Sequence, residues 1–142
     1  PYSTAIPVPL TDNAFTVECW RKGNDAFDIQ KSQVFYINSS YFGRYYKSAG
    51  GSITYDNISY SSALNDENWH FWSYVYGGSY MAIYCDGVLI SYRNGLSQTL
   101  STNDNYLYMY ASNIDELRIS KTARSADEIA AYYAAAKDFV VE

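Results

Sequence analysis

Few side chains in this sequence could carry covalent chemistry. His70 is the sole histidine, and Cys19 and Cys85 are the two cysteines. Cys85 beside His70 would make a nucleophile and its base, and a Ser–His–acid site would need His70 exposed. Strand alternation instead groups His70 with Trp72 and, across a hairpin, with Cys85 on an inward face. Both then read as packed residues near a sheet end. Two cysteines and one histidine form no zinc-ligand cluster by spacing, and no glycine-rich phosphate loop is present. Hydrolysis of a glycoside with retention needs two carboxyl groups ~5 Å apart. Glu18 stands alone on its segment, and the neighbours Asp115 and Glu116 point to opposite faces of theirs. The expectation is a protein with no catalytic residue and no metal.

Aromatic rings offer the other chemistry, stacking on the apolar faces of pyranoses while nearby polar groups take the hydroxyls. The segment from Trp69 to Gly87 reads as two strands joined at Gly77-Gly78, with Asp86-Gly87 turning into a third. Neither face shows the apolar–polar alternation of a strand with one wet side. With Gly77-Gly78 as the tip, Tyr76 pairs with Ser79, Tyr74 with Met81, Trp72 with Ile83 and His70 with Cys85. That face carries Trp72, Met81, Ile83 and Cys85 and reads as core. The opposite face sets Val75 beside Tyr80, Ser73 beside Ala82 and Phe71 beside Tyr84, small residues between aromatic walls. Phe71, Ser73, Tyr80 and Tyr84 are therefore the predicted ligand-binding residues. The competing reading packs the same rings under a covering loop or a neighbouring subunit.

Composition narrows the partners. A single domain spanning residues 1–142 is large enough to bury its own core. A net charge of −5 and a pI near 4.7 argue against an electrostatic nucleic-acid partner. No apolar run approaches the roughly 20 residues of a membrane helix. The start at Pro1 reads as a processed or excised piece. Tyrosine is over-represented, with 17 residues against 6 Phe and 3 Trp. It suits core edges, subunit contacts and sugar platforms alike, so it does not choose among functions. Cys19 and Cys85 permit one intramolecular disulfide, with two buried free thiols as the alternative.

The positioning elements are mostly strands. They are expected at Tyr2 to Ile6, Phe15 to Trp20, Val34 to Ile37, Tyr41 to Lys47, Ser52 to Tyr60, the central hairpin, Val88 to Tyr92, Tyr106 to Tyr110 and Ile114 to Ser120. Ser125 and Glu128 have capping-box spacing, and Ile129, Tyr132, Tyr133 and Ala136 follow at helical spacing. The final Phe139-Val140-Val141-Glu142 is apolar enough to pair as an edge strand. Many short strands and one terminal helix predict an all-β sandwich.

Three segments, in this order, resemble laminin-G-like domains of the concanavalin A-like lectin/glucanase group. Phe15 to Trp20 resembles their "F-T-V-E-x-W" strand. Trp69-His70, running on to Ile83-Tyr84-Cys85-Asp86-Gly87, is similar to their "W-x-H … L-Y-V-D-G" hairpin. Ile114 to Ile119 and Arg124 to Ile129 resemble their "I-D-E-V-R-I … L-S-x-x-E-I" strand and helix. The resemblance implies a two-sheet antiparallel jelly roll with one concave sheet and one short C-terminal helix. Trp20 and Trp69 would be packing anchors and Asp86-Gly87 a turn former. Asp115 and Arg118, three apart on a strand, would face opposite ways, and the family's Asp fixes a loop or in some members helps hold calcium. Three departures count against calcium: Ser112-Asn113 replaces a Gly, Phe71 replaces a second His, and the chain starts past an acidic residue that often precedes the first strand. The group's catalytic members carry an "E-x-D-x-E" strand that this sequence lacks.

These readings converge on a non-catalytic surface binding or adhesion module for glycan or protein, with no cofactor. It is expected outside the cell, at a cell or virion surface. The alternative is a structural subunit or decoration domain of a virion, extracellular filament or surface layer, self-associating through an open strand edge.

Overall fold

Phe15, Val17 and Cys19 alternate with Thr16, Glu18 and Trp20 on the second strand, and the two sets part to opposite sides of one sheet. The computed structural model describes residues 4–7, 14–23, 27–30, 34–37, 41–47, 51–96, 106–109 and 113–139. Its strands are β1 (Thr4–Pro7), β2 (Phe15–Lys22), β3 (Phe27–Gln30), β4 (Val34–Ile37), β5 (Tyr41–Lys47), β6 (Ile53–Ser59), β7 (Trp69–Tyr76), β8 (Met81–Cys85), β9 (Val88–Arg93), β10 (Tyr106–Met109) and β11 (Ile114–Ser120). The helix α1 spans Ala126–Ala136. One sheet runs β1-β10-β3-β4-β5-β6 and the other β11-β2-β7-β8-β9, with every pairing antiparallel. The protein is a jelly-roll sandwich, as the strand pattern predicts. β3 is an addition that the sequence reading did not contain. The expected pairing of the last four residues falls partly outside the described residues.

The core lies between the sheets. Phe15, Val17, Cys19, Trp72, Tyr74, Tyr76, Met81, Ile83 and Cys85 meet Phe35, Ile37, Phe42 and Ile58 from the other sheet. Phe35 stands edge-on to Phe15 at 4.8 Å and to Tyr76 at 4.9 Å between ring centroids, the offset geometry that ring quadrupoles favour. Two arginines are buried in this layer. Arg44 pairs with Asp56 at 2.9 Å and donates to the Tyr76 hydroxyl of the facing sheet at 2.6 Å. Arg21 lies over the Trp72 ring at 4.3 Å and donates to the Tyr60 hydroxyl and the Asn65 side chain. Each buried charge therefore has partners, which burial demands.

The hairpin register corrects the sequence reading. Tyr76 faces Met81, Tyr74 faces Ile83 and Trp72 faces Cys85, rather than Ser79, Met81 and Ile83. The loop holds four residues, Gly77 to Tyr80, closed by a Gly77 N–H bond to the Tyr80 carbonyl at 2.9 Å. The Tyr80 ring folds over Gly77 so closely that any Cβ there would collide with it. Because the slip is two residues, both faces keep their assignment, and the Trp72, Met81, Ile83, Cys85 face is core as expected.

Of the two alternatives for the cysteines, the structure has the free thiols. Cys19 and Cys85 are both buried and free. Cys19 pairs with Trp72, which pairs in turn with Cys85, so a whole strand stands between them. Two strand spacings come to about 9–10 Å, beyond the ~7 Å between Cα atoms that a disulfide spans. Burial pushes each thiol up to about 12. Denaturing the non-reduced protein in an alkylating agent should add two alkyl groups by intact mass. An unalkylated species lighter by two hydrogens would contradict the pairing.

Candidate functional site

The face predicted to be an open groove is the seat of the helix. Phe71, Ser73 and Tyr84 are 1 %, 0 % and 8 % exposed. Ser125 accepts from the Glu128 N–H while the Glu128 carboxylate accepts from the Ser125 N–H, so the predicted capping box forms. From that start α1 drops Ile129, fully buried, onto Val75, Ala82 and Tyr84. Tyr132 and Tyr133 lie against Phe71, and Tyr133 also against Trp20. The sequence showed the apolar spacing of this helix and the apolar second face of the hairpin, but not that each covers the other.

Beneath the approach to the helix lies Glu18, with no exposure at all. Arg118 holds its carboxylate through Nε at 3.1 Å and through Nη2. Arg124 approaches the same oxygen at 3.3 Å, and the Ser73 hydroxyl donates to the other at 3.3 Å. The Arg118 guanidinium also lies 3.5 Å from the Tyr132 ring centroid. Thr16 accepts from the Arg124 N–H and donates to the Thr122 carbonyl, fixing the segment that leads into α1.

A bulge in β11 makes this pairing available. Asp115 faces Trp20 and Arg118 faces Glu18, so two residues of β11 oppose Cys19 alone. Glu116 takes a φ of 51°, and its N–H bonds to the Asp115 carboxylate at 2.9 Å. The extra residue turns Asp115 and Arg118 to the same face, where simple alternation had set them apart. Asp115 and Glu116 are both exposed.

One part of the outer face escapes the helix. Tyr92, on β9 opposite Ala82, is 53 % exposed and stacks on Tyr80 at 5.7 Å between centroids, with planes 30° apart. Tyr80 is half-buried and rests beside buried Tyr84; burial first and the neighbouring hydroxyls second raise the pKa of both. A bond from the Leu96 N–H to the Ser79 carbonyl at 2.9 Å ties the chain after β9 to the hairpin loop. Exposed Ser79 and Asn94 lie in those two segments. Of the four predicted residues only Tyr80 borders an accessible surface, and its partner Tyr92 was read only as a strand residue.

At the other end of the hairpin sits His70, half-buried at the margin and not within the core. Its Nδ1 is 2.7 Å from the Asp86 carboxylate and its Nε2 3.0 Å from Asp66. The second Asp86 oxygen accepts from the Phe71 N–H at 2.8 Å. Asp86 and Gly87 both have positive φ, 52° and 80°, the tight turn that their sequence predicts. Burial disfavours the imidazolium, but the bonds and charges of Asp86 and then Asp66 outweigh it and raise the His70 pKa. Both ring nitrogens face carboxylates, so His70 has no nitrogen left to act as base for Cys85 in this arrangement. Among the described residues, His70, Cys85 and Asp86 bring ligand atoms within 4.8 Å of one another. Residue spacing alone shows no such cluster, because it gives Asp86 to the turn and not to a group with His70 and Cys85.

A family model described as the concanavalin A-like lectin/glucanases superfamily, Laminin_G_3, matches residues 2–130. No curated protein matches. Among solved structures, the receptor-binding domain of botulinum neurotoxin D is 16% identical, with a TM-score of 0.58, covering 91% of this chain and 39% of its own. The binding domain of botulinum neurotoxin DC in complex with SialylT is 16% identical, with a TM-score of 0.55 and coverages of 88% and 36%. A structure described as "Cell entry of botulinum neurotoxin type C is dependent upon interaction with two ganglioside molecules" gives 16% and 0.54, with coverages of 86% and 36%. The chain thus spans under two-fifths of the length of these structures, and at such identity the likeness is one of fold.

Replacing both Arg118 and Arg124 by Met leaves Glu18 buried without a cation. Orphaning a buried charge costs about 3 kcal/mol or more. Glu18→Gln instead frees two half-exposed arginines to water and should cost less. Urea unfolding of the two variants checks that order, and equal losses would contradict it.

Proposed function

We propose that this chain, which belongs to the concanavalin A-like lectin/glucanases superfamily, is a non-catalytic module that binds glycan at a cell or other extracellular surface. The carrying observation is the Tyr80–Tyr92 stack, whose outer ring stands in solvent beside the part of the face that α1 covers. A half-exposed ring backed by a second ring is a rigid apolar platform at low entropic cost. Ser79 and Asn94 supply hydrogen-bonding groups in the adjoining segments. The described neighbours support the reading, one being in complex with SialylT and another tied to two ganglioside molecules. The occupied nitrogens of His70 support the non-catalytic part. Among the described residues no helix is long and apolar enough to cross a membrane.

A glycan array followed by calorimetry with sialylated oligosaccharides, with and without calcium, tests it. Tyr92→Ala should weaken binding about tenfold, or ~1.4 kcal/mol. Tyr55→Ser, on the other sheet, should leave binding unchanged. Absence of any ligand at millimolar glycan, or full binding by Tyr92→Ala, overturns the reading.

A second reading, assembly with copies of itself, is favoured by β9. This strand ends the five-stranded sheet and leaves Val88 62 % exposed, with Leu89 close to half exposed. An apolar sheet edge invites strand pairing. Under this reading light scattering after size exclusion should show an oligomer that Val88→Lys dissociates. A monomer at high concentration removes it.

A further inference from the structure

We infer that His70, Cys85 and Asp86 form a binding site for a borderline-soft divalent cation such as zinc, with Asp66 orienting the histidine from behind. This is independent of glycan binding and involves different residues. Its first support is the mixed donor set: an imidazole nitrogen, a sulfur and a carboxylate oxygen all lie within 4.8 Å of one another. Ligand atoms around a tetrahedral zinc, at bonds of ~2.0–2.3 Å, stand about 3.3–3.8 Å apart. To reach that spacing the widest pair must close by about 1 Å from 4.8 Å, and the 2.7 Å contact between Nδ1 and Asp86 must open by several tenths of an ångström.

The second support is what stands behind each donor. Nε2 of His70 meets Asp66 at 3.0 Å, so the ring stays anchored through Nε2 when a metal takes the place of a proton on Nδ1. The Asp86 carboxylate is anchored through its other oxygen by the Phe71 N–H at 2.8 Å. Bonded outer partners of this kind accompany ligating histidines and carboxylates. Cys85, a core residue at the edge of the sandwich, brings a sulfur to the third side of this Asp–His–Asp chain.

The third support is access. The His70 and Asp86 side chains keep partial exposure, 17% and 34%, so a cation can enter and water can hold the fourth position. On binding, the Cys85 sulfur gives up its proton, Nδ1 gives up any proton it holds, and both pass to solvent as the metal bonds form. The sulfur and nitrogen donors select zinc or cobalt over calcium, which prefers an all-oxygen shell.

The test titrates the reduced, metal-free protein with cobalt(II) chloride. One equivalent should produce the visible bands of tetrahedral cobalt and a near-ultraviolet thiolate-to-cobalt band. Equimolar zinc should bleach both, and excess calcium should not. Cys85→Ser should abolish the thiolate band, while Cys19→Ser, with its sulfur a strand away, should keep it. Asp66→Asn should retain the band but weaken cobalt binding 10–100-fold. Should Cys85→Ser not fold, as judged by circular dichroism, His70→Gln read in the same way should lower affinity at least tenfold. No thiolate band in the parent protein, a band that survives in folded Cys85→Ser, or unchanged affinity in Asp66→Asn overturns the inference.

Discussion

A carboxylate with no access to water, set in the middle of a sheet face, constrains half of this molecule. Glu18 faces uncharged Ser73 on β7, so its counterions come from the other side, later in the chain. They do so from β11 and from the segment leading into α1. Arg118 reaches it only because a bulge adds a residue to β11, and Arg124 only because Thr16 pins the approach to the helix. Once both guanidiniums are in place, Tyr132 has a cation to cover and Ile129 a pocket to fill. The closure of the outer face is thus an electrostatic requirement finished by apolar packing.

That dependence also explains which parts of the structure were legible from residues alone. The alternation of Phe15, Val17 and Cys19, the greasy second face of the hairpin and the Ser125–Glu128 cap are local patterns, and all three hold. The register of the hairpin was not legible, because Gly77-Gly78 marks a turn without fixing its length, and the Tyr80 ring decides it. The face of Asp115 was not legible either, since a bulge leaves no signature in alternation when the φ > 0 residue is Glu116. Reading Phe71, Ser73 and Tyr84 as accessible failed for a third reason. Two apolar surfaces distant in sequence, one on strands and one on a helix, each look like a binding face until they are put together.

With the centre of the face covered, two accessible groups among the described residues lie at the two ends of one hairpin. At the loop end, Tyr80 leaves the strands, crosses Gly77 and supports Tyr92. At the other end, the Asp86-Gly87 turn holds a carboxylate toward His70, and Tyr133 of the helix presses on Gly87, where a Cβ would lie 3.1 Å from its ring. The same helix that closes the groove therefore buttresses the polar cluster. A ring platform and a nitrogen–sulfur–oxygen cluster are served by one rigid supersecondary unit, and neither needs the sheet's middle.

The placement of Trp72 between Cys19 and Cys85 has a consequence for how the domain meets its surroundings. The indole keeps the two sulfurs apart by the width of a strand, and burial keeps both protonated. No internal cross-link forms or breaks as the redox potential changes, so the covalent connectivity of the domain is the same in oxidising and reducing media. Its folding waits on no disulfide-forming oxidant, and packed rings and paired charges hold the sheets together without a cross-link.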